Sequence, residues 1–372
     1  MSSAPLEIVT DTDLQNLARC LWNWRLCGSC DGKAHCDTAT CPWTRRDRVE
    51  PAIARYECLC LYYMPISTAQ QALINHRDLL AIVKVIRENA IVSKKDLMEG
   101  YYVGPRDLVP VPDQEKAFNL AVSVLLYVNC GMPNDCADTL EDSADAVPWI
   151  LGESVIAFID GLFVKRVVVG VDPVPTPALT AKSLMSKAGL RFEATDDLHS
   201  HLKLGLGNRT IFVYDSTSVL EEMLAATKQS SQDSRPPRAL LLEVLHTTYK
   251  ILFPPGRESE GFASYLARKH GFQKNFLRYK IHSLERDDDP EIDYSYLGDR
   301  LVELQNELKD PSPRSWFERL FEGDTKSAER RMLMATTIGV FTAVTIGLFG
   351  LVIAGFQAWV GYQQWKHPVQ DP

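Results

Sequence analysis

The residues best suited to carry chemistry are five closely spaced side chains near the start of this 372-residue chain. They are Cys27, Cys30, His35, Cys36 and Cys41. Zinc takes four thiolate or imidazole ligands, and short spacings let one loop place them tetrahedrally. The order Cys-x2-Cys-x4-His-x5-Cys resembles a zinc knuckle whose last gap is one residue too long. Cys36 can replace His35, so two ligand sets for a structural zinc ion stay open.

The alternative interpretation is that these cysteines are structural or incidental and bind no metal. The N-terminus lacks the basic start and apolar stretch of a secretory signal, which predicts a reducing cytosolic environment for the nine cysteines. Thiols or metal ligands are therefore favoured over disulfides. Trp43, Arg45, Arg46 and Arg48 follow the cysteines without a recognisable nucleic-acid-binding pattern, and the net charge is −8. Nucleic acid is thus an unfavoured partner.

Other catalytic or binding motifs do not emerge from the sequence. His199 and His201 are two residues apart, which does not suit a metal site on a helix, and we interpret them as solvated helix residues. Neither a phosphate-binding loop nor a Gly-x-Ser-x-Gly elbow occurs. The sequence predicts no catalytic residue and no cofactor other than the candidate structural zinc.

The elements that must position these residues are mostly helices. Apolar periodicity and capping residues predict a mainly α fold: a multi-helix cytosolic domain with a few short strands, followed by one C-terminal transmembrane helix. The predicted helices include 13–26, 53–63, 113–128, 195–203 and 239–252. Strands are predicted at 166–171 and 210–214.

The domain organisation follows from these elements and from proline-rich breaks. We predict an N-terminal helix (1–26), a Cys-rich loop (27–52), a helical core (53–172), a second helical subdomain with short strands (173–310), an amphipathic juxtamembrane segment (311–331), a transmembrane helix (332–360) and a short luminal tail (361–372).

The membrane segment is the strongest single signal. Residues 332–365 contain no Asp, Glu, Lys, Arg or His, whereas about 20 apolar residues suffice to cross a bilayer. Lys326, Arg330 and Arg331 precede it, which predicts a cytosolic N-terminal side by the positive-inside rule. The sequence therefore predicts a single-pass, tail-anchored protein of the endoplasmic reticulum or another organelle.

Small residues recur along one stripe of this segment. They are Gly339, Ala343, Gly347, Gly350 and Ala354. Small side chains let helix backbones approach closely in lipid. The stripe predicts a homodimer or a pairing with a partner helix, while the simple abundance of Gly and Ala in membrane helices is the alternative.

The C-terminal half resembles a family of uncharacterised single-pass membrane proteins of filamentous fungi. The resemblance rests on the segments 190–202, 210–214, 240–254 and 297–308, together with the terminal span. These motifs are structural, so the resemblance implies a fold but no catalytic residues. It also implies an accessory role in specialised metabolism, which no residue of this chain indicates.

The leading hypothesis is a non-enzymatic accessory protein that tethers a helical domain, and through it an unknown cytosolic protein partner, to an organelle membrane. Two alternatives stay open. One is a zinc-binding regulatory module that binds nucleic acid or protein at a membrane. The other is a membrane-bound enzyme of unrecognised class.

Overall fold

The computed structural model describes residues 6, 8–66, 70–131, 146–166, 178–205, 209–227, 235–274, 276–277, 289, 292–311 and 327–366. The chain divides into two compact units, residues 1–311 and residues 312–372. The predicted strand at 167–171, the predicted boundary at 173–177 and most of the predicted juxtamembrane segment (312–326) lie outside the described residues.

Helices make up most of the first unit. In chain order they are α1 (Asp11–Trp22), α2 (Glu50–Leu61), α3 (His76–Glu88), α4 (Lys94–Tyr101), α5 (Val111–Leu126), α6 (Val155–Leu162), α7 (Ala181–Ser183), α8 (Thr217–Thr227), α9 (Arg238–His246), α10 (Arg257–Lys269) and α11 (Gly298–Lys309). Two of them continue as π-helical turns, α7 over Leu184–Ala188 and α9 over Thr247–Leu252.

Side-chain caps fix where several helices begin. Thr10 and Asp13 form a reciprocal capping box at α1, and Asn75, Ser93 and Ser154 each accept a backbone N–H at the start of α3, α4 and α6. Such caps satisfy amide donors that have no partner within the helix, which is typically worth about 1 kcal/mol each.

Helix α5 is the centre of the core. Phe118, Leu120, Ala121 and Val122 are fully buried, so successive positions around the helix are apolar. Helix α3 packs on α5 and also on α1, while α2 and α4 cover other sides of α5. A helix enclosed in this way needs no polar face.

A small sheet lies in the second half of the first unit. Strand β3 (Thr210–Tyr214) is central, with β1 (Arg191–Thr195) parallel to it and β2 (Leu204–Gly205) antiparallel on its other side. The register pairs Arg191 with Thr210 and Leu204 with Ile211. Strand β3 has the predicted bounds, whereas β1 was not predicted.

The predicted helix at 195–203 is wrong. The segment contains the end of β1 and a short 3-10 turn, Leu198–Ser200. Asp197 accepts a hydrogen bond from the His199 amide at 3.0 Å and another from the Ser200 hydroxyl at 2.8 Å. These local bonds compete with helical ones, and Leu202 has a left-handed φ of 62° that ends any helix.

The interpretation of His201 as a solvated residue is also wrong, because its side chain is fully buried. Its Nδ1 accepts the Tyr214 amide at 3.1 Å, so Nε2 carries the proton and donates to the Thr247 hydroxyl at 2.9 Å. Thr247 in turn donates to the Val244 carbonyl. The neutral imidazole thus joins β3 to the π-helical turn that follows α9.

The second unit contains one long helix, α12 (Ser327–Lys366). Together with the helices and the small sheet of the first unit, it confirms the prediction of a mainly helical fold with few strands and one apolar C-terminal helix.

The buried His201 predicts a contribution to stability that acid removes. Burial, together with the smaller effect of the Arg300 guanidinium, lowers the pKa of His201 to about 3, below its ordinary value near 6.5. A histidine with a depressed native pKa stabilises the fold above its unfolded pKa, and that stability is lost as the pH falls. The contribution of His201 to the free energy of unfolding should drop on the order of 2 kcal/mol between pH 6.5 and 4.5. Burial raises the pKa of Asp215 and of Glu243 to about 7, so these carboxyls change stability in the opposite sense, and the His201 contribution is read as the difference between the unchanged chain and a His201 variant. Urea unfolding of the full chain in non-ionic detergent, followed by tryptophan fluorescence, measures it.

A His201→Asn exchange is the informative variant. The Asn oxygen can still accept the Tyr214 amide but does not titrate, so the variant should be less stable at pH 7 and less sensitive to acid. Burial also lowers the pKa of His246, to about 4, and this group keeps part of the slope in the variant. The same acid sensitivity in both chains would contradict the assignment to His201.

Candidate metal centre and membrane span

Four cysteine sulfurs meet in the loop between α1 and α2. The Sγ atoms of Cys27, Cys30, Cys36 and Cys41 all lie within 4.8 Å of one another. The Cys27 sulfur is 3.4 Å from that of Cys36 and 3.6 Å from that of Cys30, and the Cys30 and Cys41 sulfurs are 3.7 Å apart. We call these four side chains the sulfur cluster.

These distances fit one four-coordinate metal ion. With zinc–sulfur bonds of about 2.3 Å, the sulfurs of a regular tetrahedron lie about 3.8 Å apart. A disulfide would bring two sulfurs to about 2.05 Å, and all four cysteines are free thiols in the structure. The donor set therefore suits a metal that prefers soft thiolate ligands in tetrahedral geometry.

His35 is not part of the sulfur cluster. Its side chain is exposed, while Cys30 and Cys41 are buried and Cys27 and Cys36 are half-buried. Of the two ligand sets left open by the sequence, the described geometry brings together the four thiolates.

The local environment gives the sulfurs different pKa values. Hydrogen bonds lower the pKa of Cys27 to about 5, chiefly that of the Ser29 hydroxyl, whose oxygen is 3.0 Å from the sulfur, and then that of the Cys36 thiol. Burial raises the pKa of the Cys30 thiol to about 12. Without a metal, neighbouring thiols stabilise one thiolate by donating hydrogen bonds to it. A divalent cation would instead stabilise all four sulfurs in their ionised form.

A buried glutamine on α1 holds the loop beneath the cluster. The Gln15 Nε2 donates to the Cys30 carbonyl at 2.7 Å and to the Lys33 carbonyl at 3.1 Å, and its Oε1 accepts the Gly32 amide at 3.0 Å. Gln15 is fully buried. Its side chain therefore supplies the hydrogen-bond partners that these backbone groups would otherwise need from water. The turn is therefore fixed on α1 from below.

Two buried tryptophans fix the end of the loop. The Trp43 indole donates to the Lys33 carbonyl at 2.9 Å, and its ring meets that of Trp24 edge-on with centroids 6.4 Å apart. The Arg46 guanidinium lies 5.4 Å from the Trp43 ring centroid and also pairs with Asp11 of α1 at 2.7 Å. The aromatic contact and the cation–π contact together hold this side of the loop in place.

Ion pairs connect the same loop to α8, far along the chain. Glu222 is almost fully buried and accepts from Arg45 and from the Trp24 indole, each at 3.2 Å. Arg48 pairs with the neighbouring Glu221. The three arginines that follow the cysteines thus bind acidic side chains of this same protein.

Sequence reasoning found the cysteines but missed the residues that position them. Gln15 looks like an ordinary polar residue of an amphipathic helix, and Glu222 lies 181 residues after Cys41. Their roles depend on tertiary contacts for which no local pattern exists.

One helix in the described part of the chain is long and apolar enough to cross a membrane, the portion Gly339–Gln363 of α12. None of its apolar window is buried, and exposed side chains include Phe341, Leu348 and Phe356. Rings of Trp359, Tyr362 and Trp365 gather toward its end. Length, composition and exposure together fit a single-pass membrane protein.

The small-residue stripe lies on this helix. A Cβ atom built on Gly339, Gly347 or Gly350 would meet no described atom within 4 Å outside the neighbouring helix backbone. Ala343 and Ala354 are likewise exposed. Pairing of the stripe with a second helix stays a prediction.

Removal of the Gln15 amide should loosen the sulfur cluster. In Gln15→Leu the Cys30 carbonyl and the Gly32 amide lose their partner, and a buried polar group left unsatisfied costs about 1–3 kcal/mol. We expect a lower free energy of unfolding and faster amide exchange across residues 28–36, measured by hydrogen–deuterium exchange. Asn16→Leu is the matched control, because the Asn16 side chain contacts Arg19 of its own helix. Equal exchange in both variants would contradict the positioning role of Gln15.

Comparisons of the chain with protein-family models, with curated proteins and with solved structures find no match. The resemblance to a fungal membrane family accordingly stays a prediction, and the case for function rests on the geometry given above.

Proposed function

We propose that this protein is a single-pass membrane tether, whose helical domain faces the cytosol and holds a protein partner at an organelle surface. One observation carries the proposal, namely the uncovered apolar length of Gly339–Gln363. Burial of one large apolar side chain is worth about 1.5–3 kcal/mol. Each such side chain that α12 exposes to water would gain free energy of this order by transfer into lipid.

The proposal assigns the sulfur cluster to one structural zinc ion. The half-buried and buried thiolates leave a four-coordinate metal no open position for a substrate, which is the arrangement of structural rather than catalytic zinc sites. The zinc would hold a loop that carries little regular secondary structure.

The alternative of a nucleic-acid-binding zinc module is less well supported. A module of that kind needs basic side chains that are free to meet phosphates. Here Arg45, Arg46 and Arg48 pair with Glu222, Asp11 and Glu221. The same contacts favour a role for the loop in joining α1 to α8.

Zinc content tests the metal assignment. The full chain, purified in detergent without chelator, should contain one zinc per chain by elemental analysis. Cys36→Ser should lower the zinc content and affinity strongly, because it removes one of four ligands, whereas His35→Ala should leave both unchanged. Cys130→Ser, which alters a buried cysteine outside the cluster, is the control for general damage. Loss of zinc in His35→Ala with retention in Cys36→Ser would reverse the ligand assignment.

Extraction from membranes tests the span. The full chain should stay in the pellet when vesicles are washed with alkaline carbonate. The double exchange Val344→Asp and Val352→Asp should release it, since each charge at the centre of a span costs about 2.5–3.5 kcal/mol of insertion. Gln363→Asp adds the same charge at the end of the candidate span and should remain in the pellet. Release of the unchanged chain would refute the tether.

Protease protection tests the orientation. In sealed microsomes, protease added outside should digest the domain, residues 1–311, and spare the far end of α12. Protection of the domain would place it on the luminal side and contradict the cytosolic orientation.

A further inference from the structure

Exposed aliphatic side chains gather at one end of the helical domain. They are Met64, Ile66, Ile74, Val103, Leu108 and Val111, each 55–67% exposed. They lie in the segments before α3 and before α5, and we call them the apolar loop face. Single exposed apolar residues are ordinary, but a concentration of them marks an interaction surface.

Hydrogen bonds hold the two segments together. The Ile66 amide donates to the Asp113 carboxylate at 2.7 Å, and the Lys116 ammonium donates to the Met64 carbonyl at 3.3 Å. These bonds place Met64 and Ile66 beside the first turn of α5, where Val111 begins the helix.

A second link connects the rest of the face. Asp78 accepts from the Ile74 amide and from the Arg106 guanidinium, each at 3.1 Å. Arg106 therefore joins the segment that carries Val103 and Leu108 to the start of α3. The six aliphatic side chains belong to one fixed surface rather than to separate loops.

The rim of this face has the chemistry of a lipid headgroup boundary. Lys116 and Arg106 supply cations, with Arg106 held 5.3 Å from the Tyr101 ring centroid, and Tyr62 is 44% exposed at the end of α2. Acidic neighbours in the sequence are the exposed Glu99 and Asp107 and the half-buried Glu115. Aliphatic tips with tyrosine and basic side chains around them suit the layer between acyl chains and phosphates.

The candidate span keeps a bilayer within reach of this face. Fifteen residues, 312–326, connect the domain to α12, and such a length spans at most about 50 Å. A domain of this size has a radius of gyration of about 20 Å. The connection is thus long enough for faces of the domain within about 50 Å of residue 311, measured along its surface, to meet the bilayer. Tethering raises the effective concentration of such a face at the bilayer.

We propose that the apolar loop face inserts into the headgroup layer of the bilayer that the chain's own span crosses, and so fixes which side of the domain faces the cytosol. This inference rests on the proposed tether. The ligand is the lipid surface itself, through its acyl chains for the aliphatic tips and its phosphates for Lys116, while Arg106 stays paired with Asp78.

Fluorescence quenching by brominated lipid tests the insertion. An environment-sensitive fluorescent amino acid is placed at Ile66 or Leu108 in the full chain, which is reconstituted into vesicles of phosphatidylcholine and phosphatidylserine. Both probes should shift to shorter emission wavelengths and lose emission when the phosphatidylcholine is brominated. Because these side chains are exposed, the exchange leaves the core packing intact.

The matched control is a probe at Ile91, which is 82% exposed but follows the opposite end of α3. Helix α3 is about 20 Å long, so Ile91 lies well away from the face and should show no quenching. A further probe at Leu348 reports on the span alone. Quenching at Leu348 without quenching at Ile66 and Leu108 would overturn this inference and keep the tether, whereas no quenching at Leu348 would overturn the tether.

One more outcome separates lipid from protein. An emission shift at Leu108 that occurs in native membranes but not in pure lipid vesicles would assign the face to a protein partner and overturn the inference. Leu108→Asp combined with Ile66→Asp gives an independent check, since the domain should then lose protection of its loop amides in vesicles and retain its span.

Discussion

The structure of the first unit depends on the satisfaction of backbone polar groups in a loop that has almost no regular secondary structure. Between α1 and α2 the chain makes only short 3-10 turns, so its amides and carbonyls need partners from elsewhere. Gln15 and Trp43 supply several of them from buried positions. A zinc ion bound to the four sulfurs, as proposed above, would fix the loop further. Each contact alone contributes little free energy, and the loop keeps its conformation because all of the contacts favour the same one.

This constraint extends across the domain through charge. The loop presents Arg45 and Arg48 to α8, where the carboxylate of Glu222 is almost fully buried. A buried carboxylate without a cation would be strongly unfavourable, so the loop and α8 each need the other in place. The sulfur cluster therefore influences residues almost two hundred positions away, and its loss should affect the whole first unit rather than the loop alone.

The sequence predicts much of this architecture because several signals are local. Strand β3 was predicted with its observed bounds, α5 within two residues, and α9 together with its π-helical turn within one, since apolar runs and capping residues act over a few positions. The cysteine spacing likewise placed a candidate metal site at Cys27, Cys30, Cys41 and either His35 or Cys36. The segment 195–203 failed for a physical reason, namely that Asp197 and His201 form tertiary and turn hydrogen bonds that outweigh helix propensity. His35 and Cys36 could not be separated either, because spacing does not say which neighbour faces inward.

A membrane anchor reduces the size of the binding surface that a domain needs. A free protein needs a large, well-packed surface to bind at low concentration, because association costs translational and rotational freedom. A domain tied to a bilayer has met most of that cost already, so a shallow surface suffices. The exposed aliphatic residues before α3 and α5 form a small surface of the kind that suffices for a tethered domain. Patches of this kind also occur on untethered proteins, and the proposed bilayer would give these residues a place to be covered.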